Sequence, residues 1–77
     1  MPHYYFDIHD DVHLIDEVGQ DLPNLRAARA EAARALAEAA KELAALAPSK
    51  DFVILVRNEG GEVVLRTRMS FSSEPAF

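Results

Sequence analysis

The sequence predicts an α+β domain: an antiparallel sheet of four strands, with a brief fifth, carrying one long helix on one face in the order β-β-(β)-α-β-β. Three observations predict it. Residues 3–9 alternate apolar and polar with the period of two of a half-buried strand. Leu25 to Leu46 carry leucine and alanine at helical spacing. Two apolar runs, 51–57 and 63–71, flank the turn Asn58-Glu59-Gly60-Gly61. One helix with a single apolar stripe needs one sheet face, and an antiparallel sheet covered on one side supplies it.

In the first strand Tyr4, Phe6 and Ile8 point one way, and His3, Tyr5, Asp7 and His9 the other. Asp10 and Asp11 form a turn, since Asp side chains bond nearby backbone. Residues 12–15 make a short second strand. Asp16-Glu17-Val18-Gly19 reads as a tight turn with Gly19 at positive φ. Residues 20–22 form the brief third strand, and Pro23 leads into the helix.

At about 100° per residue, Leu25, Ala28, Ala32, Leu36, Ala39, Leu43 and Leu46 fall on one stripe. Arg34, Glu38, Lys41, Glu31 and Glu42 fall opposite, and Arg34 and Glu38 make an i,i+4 pair. Asn24 is the N-cap. Pro48 disfavours helical geometry at Ala47 and ends the helix. A second stripe, Ala33, Ala37, Ala40 and Ala44, has no large side chains. It either faces water, alanine being simply the best helix former, or admits another backbone. Arg29 lies at the stripe's margin, about 40° from Leu25. A structural role is expected for it, its stem covering the core edge and its guanidinium reaching Asp7, Asp16 or Asp21.

After the connector 48–50, strand 51–57 is apolar on both faces and rich in β-branched residues. Gly61 helps close the hairpin, and residues 63–71 alternate. Val63, Leu65, Thr67, Met69 and Phe71 share one face; Val64, Arg66 and Arg68 share the other. Residues 1–71 thus form the domain and 72–77 a frayed tail. The doubly apolar strand calls for a second covering layer, so a twofold homodimer is expected. The first choice of interface is sheet against sheet through Val53, Leu55 and Val64, with Arg66 and Arg68 beside them. A one-residue register shift would present Phe52, Ile54 and Val56 instead. The second choice is helix against helix through the alanine stripe. A helix reaching Leu46 is about 33 Å long and a strand of 51–57 about 23 Å, so the helix is expected to overhang its sheet.

The chain has 77 residues, 49% of them apolar, enough for one small core. A net charge of -5 argues against general nucleic-acid binding, which rests on clustered Lys and Arg. Arg57, Arg66 and Arg68 make the only basic patch. Without cysteine there are no disulfides or thiolate metal sites. No apolar run reaches membrane-span length and no basic-then-apolar leader opens the chain, so a soluble cytoplasmic protein is expected. His3, Asp7, His9 and His13, with Asp10 and Asp11, are the only cluster with ligand chemistry, suited to Zn, Ni or Fe. Nothing in the sequence fixes their geometry, so a solvated sheet face is expected, with no cofactor and no loss of thermal stability on chelation. Ser49, Ser70, Ser72 and Ser73 lack His and Asp partners at recognisable spacing, and Gly60-Gly61 leads into a strand rather than a helix. The carboxylates lie in turns and on the wet side of the helix, where nothing tunes them; no enzyme is expected.

Met1-Pro2-x-Tyr4-Tyr5-Phe6, Asp16-x-x-Gly19, Leu22-Pro23-x-Leu25, Ala28-Arg29-x-Glu31-Ala32 and Asn58-x-x-Gly61 before Val63 resemble, in that order, a family of short bacterial proteins known only as a domain of unknown function. The resemblance spans roughly residues 1–71 and implies no activity. Asn58 stands where that family tends to show Asp. A more distant likeness is to the antitoxins of HicA/HicB-type pairs, which also open with aromatic strands and a Leu-Pro helix entry; their acidic-turn and glycine pattern after the proline is missing here. Two readings follow: a self-associating protein-interaction module, or an antitoxin-like adaptor for a toxin or nucleic acid.

Overall fold

The computed structural model describes residues 1–10 and 13–76. Its elements are β1 (His3–His9), β2 (His13–Leu14), β3 (Gln20–Asp21), α1 (Leu25–Leu43), β4 (Ser49–Arg57) and β5 (Val63–Ser72). The expected order holds, including the brief third strand. Asp11 of the first turn, Val12 at the start of the second strand and Phe77 lie outside the described residues.

All pairings are antiparallel, in the order β2-β1-β4-β5. β3 pairs with the start of β1, His3 opposite Asp21, while β2 pairs with its end, His9 opposite His13. The segment from β2 to β3 thus follows β1 as two short pieces, and β5 forms the opposite edge. Register sorts the faces. Phe6 lies opposite Val56, and Ile8 opposite Ile54. Phe52, Ile54 and Val56 are buried with Tyr4 under Ala28, Ala32 and Leu36. Leu65, Met69 and Phe71 pack around them, Phe71 meeting Phe52 edge to face at 6.4 Å. The helix lies over β4 and β5.

Asn24 caps the helix with extended backbone, its Oδ1 accepting from the Ala27 N–H at 2.9 Å. The regular helix ends at Leu43, three residues short of the expected Leu46. There the Leu46 N–H turns to the Leu43 carbonyl, an i to i+3 bond that tightens the chain before Pro48. Leu46 is accordingly 81% exposed rather than part of the buried stripe. The overhang also disappears. Nineteen helical residues span about 28 Å, and β4 and β5, of nine and ten residues, span about 30 Å.

One slip in β5 alters the expected faces. Val56 pairs with Leu65 but Arg57 pairs with Val63, so Val64 is the extra residue of a bulge. Val64, expected on the open face with Arg66, packs against the core, and Val63, expected beside Leu65, is 51% exposed. The hairpin closes on Asn58, whose Oδ1 accepts from the N–H groups of Gly60 and Glu62, both at 3.0 Å. Gly61 follows at φ +83.

Candidate interaction surface

The face of the sheet away from the helix carries Tyr5, Asp7 and His9 from β1. Beside them stand Val53, Leu55 and Arg57 from β4, then Arg66 and Arg68 from β5. Val53 and Leu55 are half-buried, and neither belongs to the core under the helix. Phe52, Ile54 and Val56 face the helix, so no register shift presents them. Val53 stands between His9 and Arg68, and Leu55 between Asp7 and Arg66. The result is an apolar pair with charged or polar neighbours on both sides.

Asp7 is only 4% exposed although it lies on this open face. Arg57 covers it: Nε donates to Oδ2 at 2.5 Å and Nη2 to Oδ1 at 3.1 Å. Nη2 also donates to the Asp16 carbonyl at 3.0 Å, and the guanidinium lies 4.9 Å from the centre of the Tyr5 ring. This planar fork satisfies two acceptors and an aromatic face at once. The Asp16 N–H donates to Asp7 Oδ1 at 2.9 Å. Arg57 thereby holds the Asp7 carboxyl below its ordinary range, burial opposing it and the Asp16 N–H helping.

Asp16 works in the gap between β2 and β3. Its Oδ2 accepts from the Phe6 N–H, and its Oδ1 from the N–H groups of Val18 and Gly19, all at 3.0 Å. Burial pushes the Asp16 carboxyl up, and these three donors outweigh it, leaving a net lowering. The Asp16-x-x-Gly19 pattern is thus a staple that supplies by side chain the hydrogen bond a continuous edge strand would make. Gly19, at φ +71, is required twice over, since a Cβ there would lie 2.5 Å from His3 Nε2 and 2.6 Å from the Tyr4 carbonyl.

His3 locks the same corner. Its Nδ1 lies 2.6 Å from Asp21 Oδ1 and its Nε2 2.7 Å from the Val18 carbonyl oxygen. Both partners only accept, so the arrangement favours the imidazolium, in which both ring nitrogens donate. The Asp21 bond, then the Val18 bond, raises its pKa. The Glu59 carboxylate accepts from the His3 backbone N–H at 3.2 Å, tying this corner to the β4–β5 turn.

Of the sequence-level metal candidates, His3 and Asp7 are therefore engaged in separate networks. His9 and His13 face each other across the strands with ring centres 4.4 Å apart. Asp10 pairs with Lys50 at 2.9 Å. Among the described residues no group of three or more metal-ligating side chains gathers. Arg29 does not take the structural role expected of it. It is exposed, with no ion pair among the described residues; the Asp7 carboxylate bonds Arg57, that of Asp16 bonds the N–H groups of Phe6, Val18 and Gly19, and that of Asp21 bonds His3. On the helix, Ala33, Ala37 and Ala44 are exposed and Ala40 half-buried. Arg34 pairs with Glu31, three residues before it, rather than with the Glu38 expected from spacing. The Asp7–Arg57 pair is what sequence reasoning missed; its one local signal is a carboxylate amid the outward residues of an aromatic strand.

Among the described residues no helix is long and apolar enough to cross a membrane. No curated protein and no solved structure matches the chain. A family model does, the domain of unknown function DUF6894, over residues 3–70, which takes in β1 to β4, the helix and all but the last two residues of β5. The chain belongs to the DUF6894 family.

Proposed function

We propose that this protein is a small non-enzymatic interaction module that self-associates through the open face of its sheet. The observation that carries the reading is the position of Val53 and Leu55, apolar side chains on the one face the helix leaves uncovered. Their neighbours Arg66 and Arg68 give that face the mixed apolar and arginine character common at protein interfaces. The carboxylates support a non-enzymatic role, since Asp7 and Asp16 spend their oxygens on backbone N–H groups and Arg57. A domain this small also gains much from a shared buried surface. The alanine stripe is the second-choice contact.

Light scattering at micromolar concentration tests the reading. The expected mass is twice the chain's 8.5 kDa, returning to one chain mass in Leu55→Glu. A single-chain mass for the unaltered protein overturns it. An antitoxin-like adaptor, the alternative, would instead show a co-purifying toxin or nucleic acid.

A further inference from the structure

The geometry points to β5 as the docking edge for an extended, acidic segment of another protein, added to the sheet as a further strand. Directions of the backbone groups come first. The Phe6 N–H points to Asp16, away from β4, so Phe6 and Val56 form a pair without mutual hydrogen bonds. Antiparallel alternation then turns the backbone groups of Leu65, Thr67 and Met69 toward β4. Those of Arg66, Arg68 and Ser70 point outward from the sheet. Among the described residues no strand pairs with that side of β5. Two of these three residues, Arg66 and Arg68, also carry exposed guanidiniums.

Neither guanidinium has an ion-pair partner among the described residues, whereas Arg34 and Arg57 each have a carboxylate. In a chain of net charge -5, Arg66 and Arg68 are exposed arginines set side by side on a free sheet edge. They also decide against a second copy of β5. Antiparallel self-pairing keeps like faces together, so only registers that match open-face residues are allowed. Of these, the two that overlap β5 almost fully set Arg66 opposite Arg68, or Arg68 opposite itself. Like charges directly opposite are unfavourable. An incoming strand with Asp or Glu opposite Arg66 and Arg68 reverses the sign of both pairs. On its other face, small apolar residues would continue the row of Leu65, Thr67 and Met69 beside the helix, which already lies over β5. This inference goes beyond the open-face reading and holds for one copy or two.

The probe is a capped nine-residue peptide alternating Glu and Val, followed by amide NMR on the whole chain. The expected result is shifts and slowed exchange at the Arg66, Arg68 and Ser70 N–H groups, with affinity falling as salt rises. Arg66→Glu with Arg68→Glu should weaken this peptide by about tenfold or more and admit its Lys-Val counterpart. N-methylation of alternate peptide amides should abolish binding, because it removes strand donors and leaves charge intact. Equal binding of the methylated peptide, equal binding of the Lys-Val peptide to the unaltered chain, or shifts confined to another surface would overturn the inference. So would an unaltered chain that ignores the peptide while Arg66→Thr with Arg68→Thr self-pairs through β5, for the arginines would then be guards only. Leu55→Ser, which weakens the open-face contact without setting a charge opposite Arg66, should leave peptide binding unchanged and so separates the two proposals.

Discussion

Arg57 and Asp7, fifty residues apart, close over one another on the open face of the sheet with two hydrogen bonds of 2.5 and 3.1 Å. The pair is fixed by the register of β1 against β4, in which Arg57 stands opposite Tyr5, one diagonal step from Asp7. Truncating the buried partner strands the Asp16 N–H and a half-covered guanidinium. Asp7→Ala is expected to cost about 2–3 kcal/mol, read as a lower urea midpoint at unchanged slope. Arg57→Lys should cost roughly 1 kcal/mol, because a point charge cannot bond two acceptors and cover Tyr5 together. An unchanged midpoint for Asp7→Ala would show that the pair contributes nothing net.

Stability should pass through a plateau in pH. Asp7 and Asp16 titrate below their ordinary range when folded, so their contribution is full above the unfolded value, about 3.9, and is lost as pH falls through the folded values. His3 shifts upward, so its contribution is full below the ordinary value of 6.5 and is lost as pH rises through the folded value. The urea midpoint should therefore fall on both sides of a window from about 4 to 6.5. His3→Gln should flatten only the alkaline side; a midpoint that still falls there would assign that side to another group.

The two positive-φ glycines should behave differently. A Cβ added at Gly61 would meet nothing within 4 Å, so Gly61→Ala bears only the backbone penalty, about 1–2 kcal/mol. Gly19→Ala bears that penalty and a clash with the Tyr4 carbonyl, which as backbone cannot swing away. It should lose more than about 3 kcal/mol and release the 16–21 segment from β1. Paired melting curves decide; equal losses would mean that the corner yields at low cost.

In the helix, Leu36→Ala should cost about 2–4 kcal/mol, because Leu36 is the largest helix side chain fully buried against β4. Asn24→Ala should cost about 1 kcal/mol through the lost cap. Leu46→Ala should lie within about 0.5 kcal/mol of the parent, being exposed beyond the helix end. A large loss there would restore the longer helix.

These expectations divide along a physical line. Periodicity is local, so the alternation of Tyr4, Phe6 and Ile8 and the spacing of Ala28, Ala32 and Leu36 identify strand, helix and buried face directly. Partner choice is not local. Asp7 reads as one of a cluster with three histidines, and Arg57 as one of three arginines; only the pairing of β1 with β4 joins them. Arg29 sits at a suitable helical angle, yet Arg57, His3 and the N–H groups of Phe6, Val18 and Gly19 already occupy the carboxylates it was expected to reach. The bulge at Val64 shows the same limit, since one extra residue inverts an alternation that looks regular.

The Asp16 staple gives the sheet a direction of growth. On the β1 side, the Phe6 N–H that an incoming strand would need already belongs to a carboxylate, and two short pieces of chain lie over the rest. On the β5 side, no strand among the described residues takes up the outward backbone groups. Among the described residues such a sheet has one socket and no plug: it can accept a strand, but it offers no second long edge through which identical copies could pass the pairing on. Addition at β5 therefore ends after one step, and a filament built edge to edge from this fold has no way to propagate.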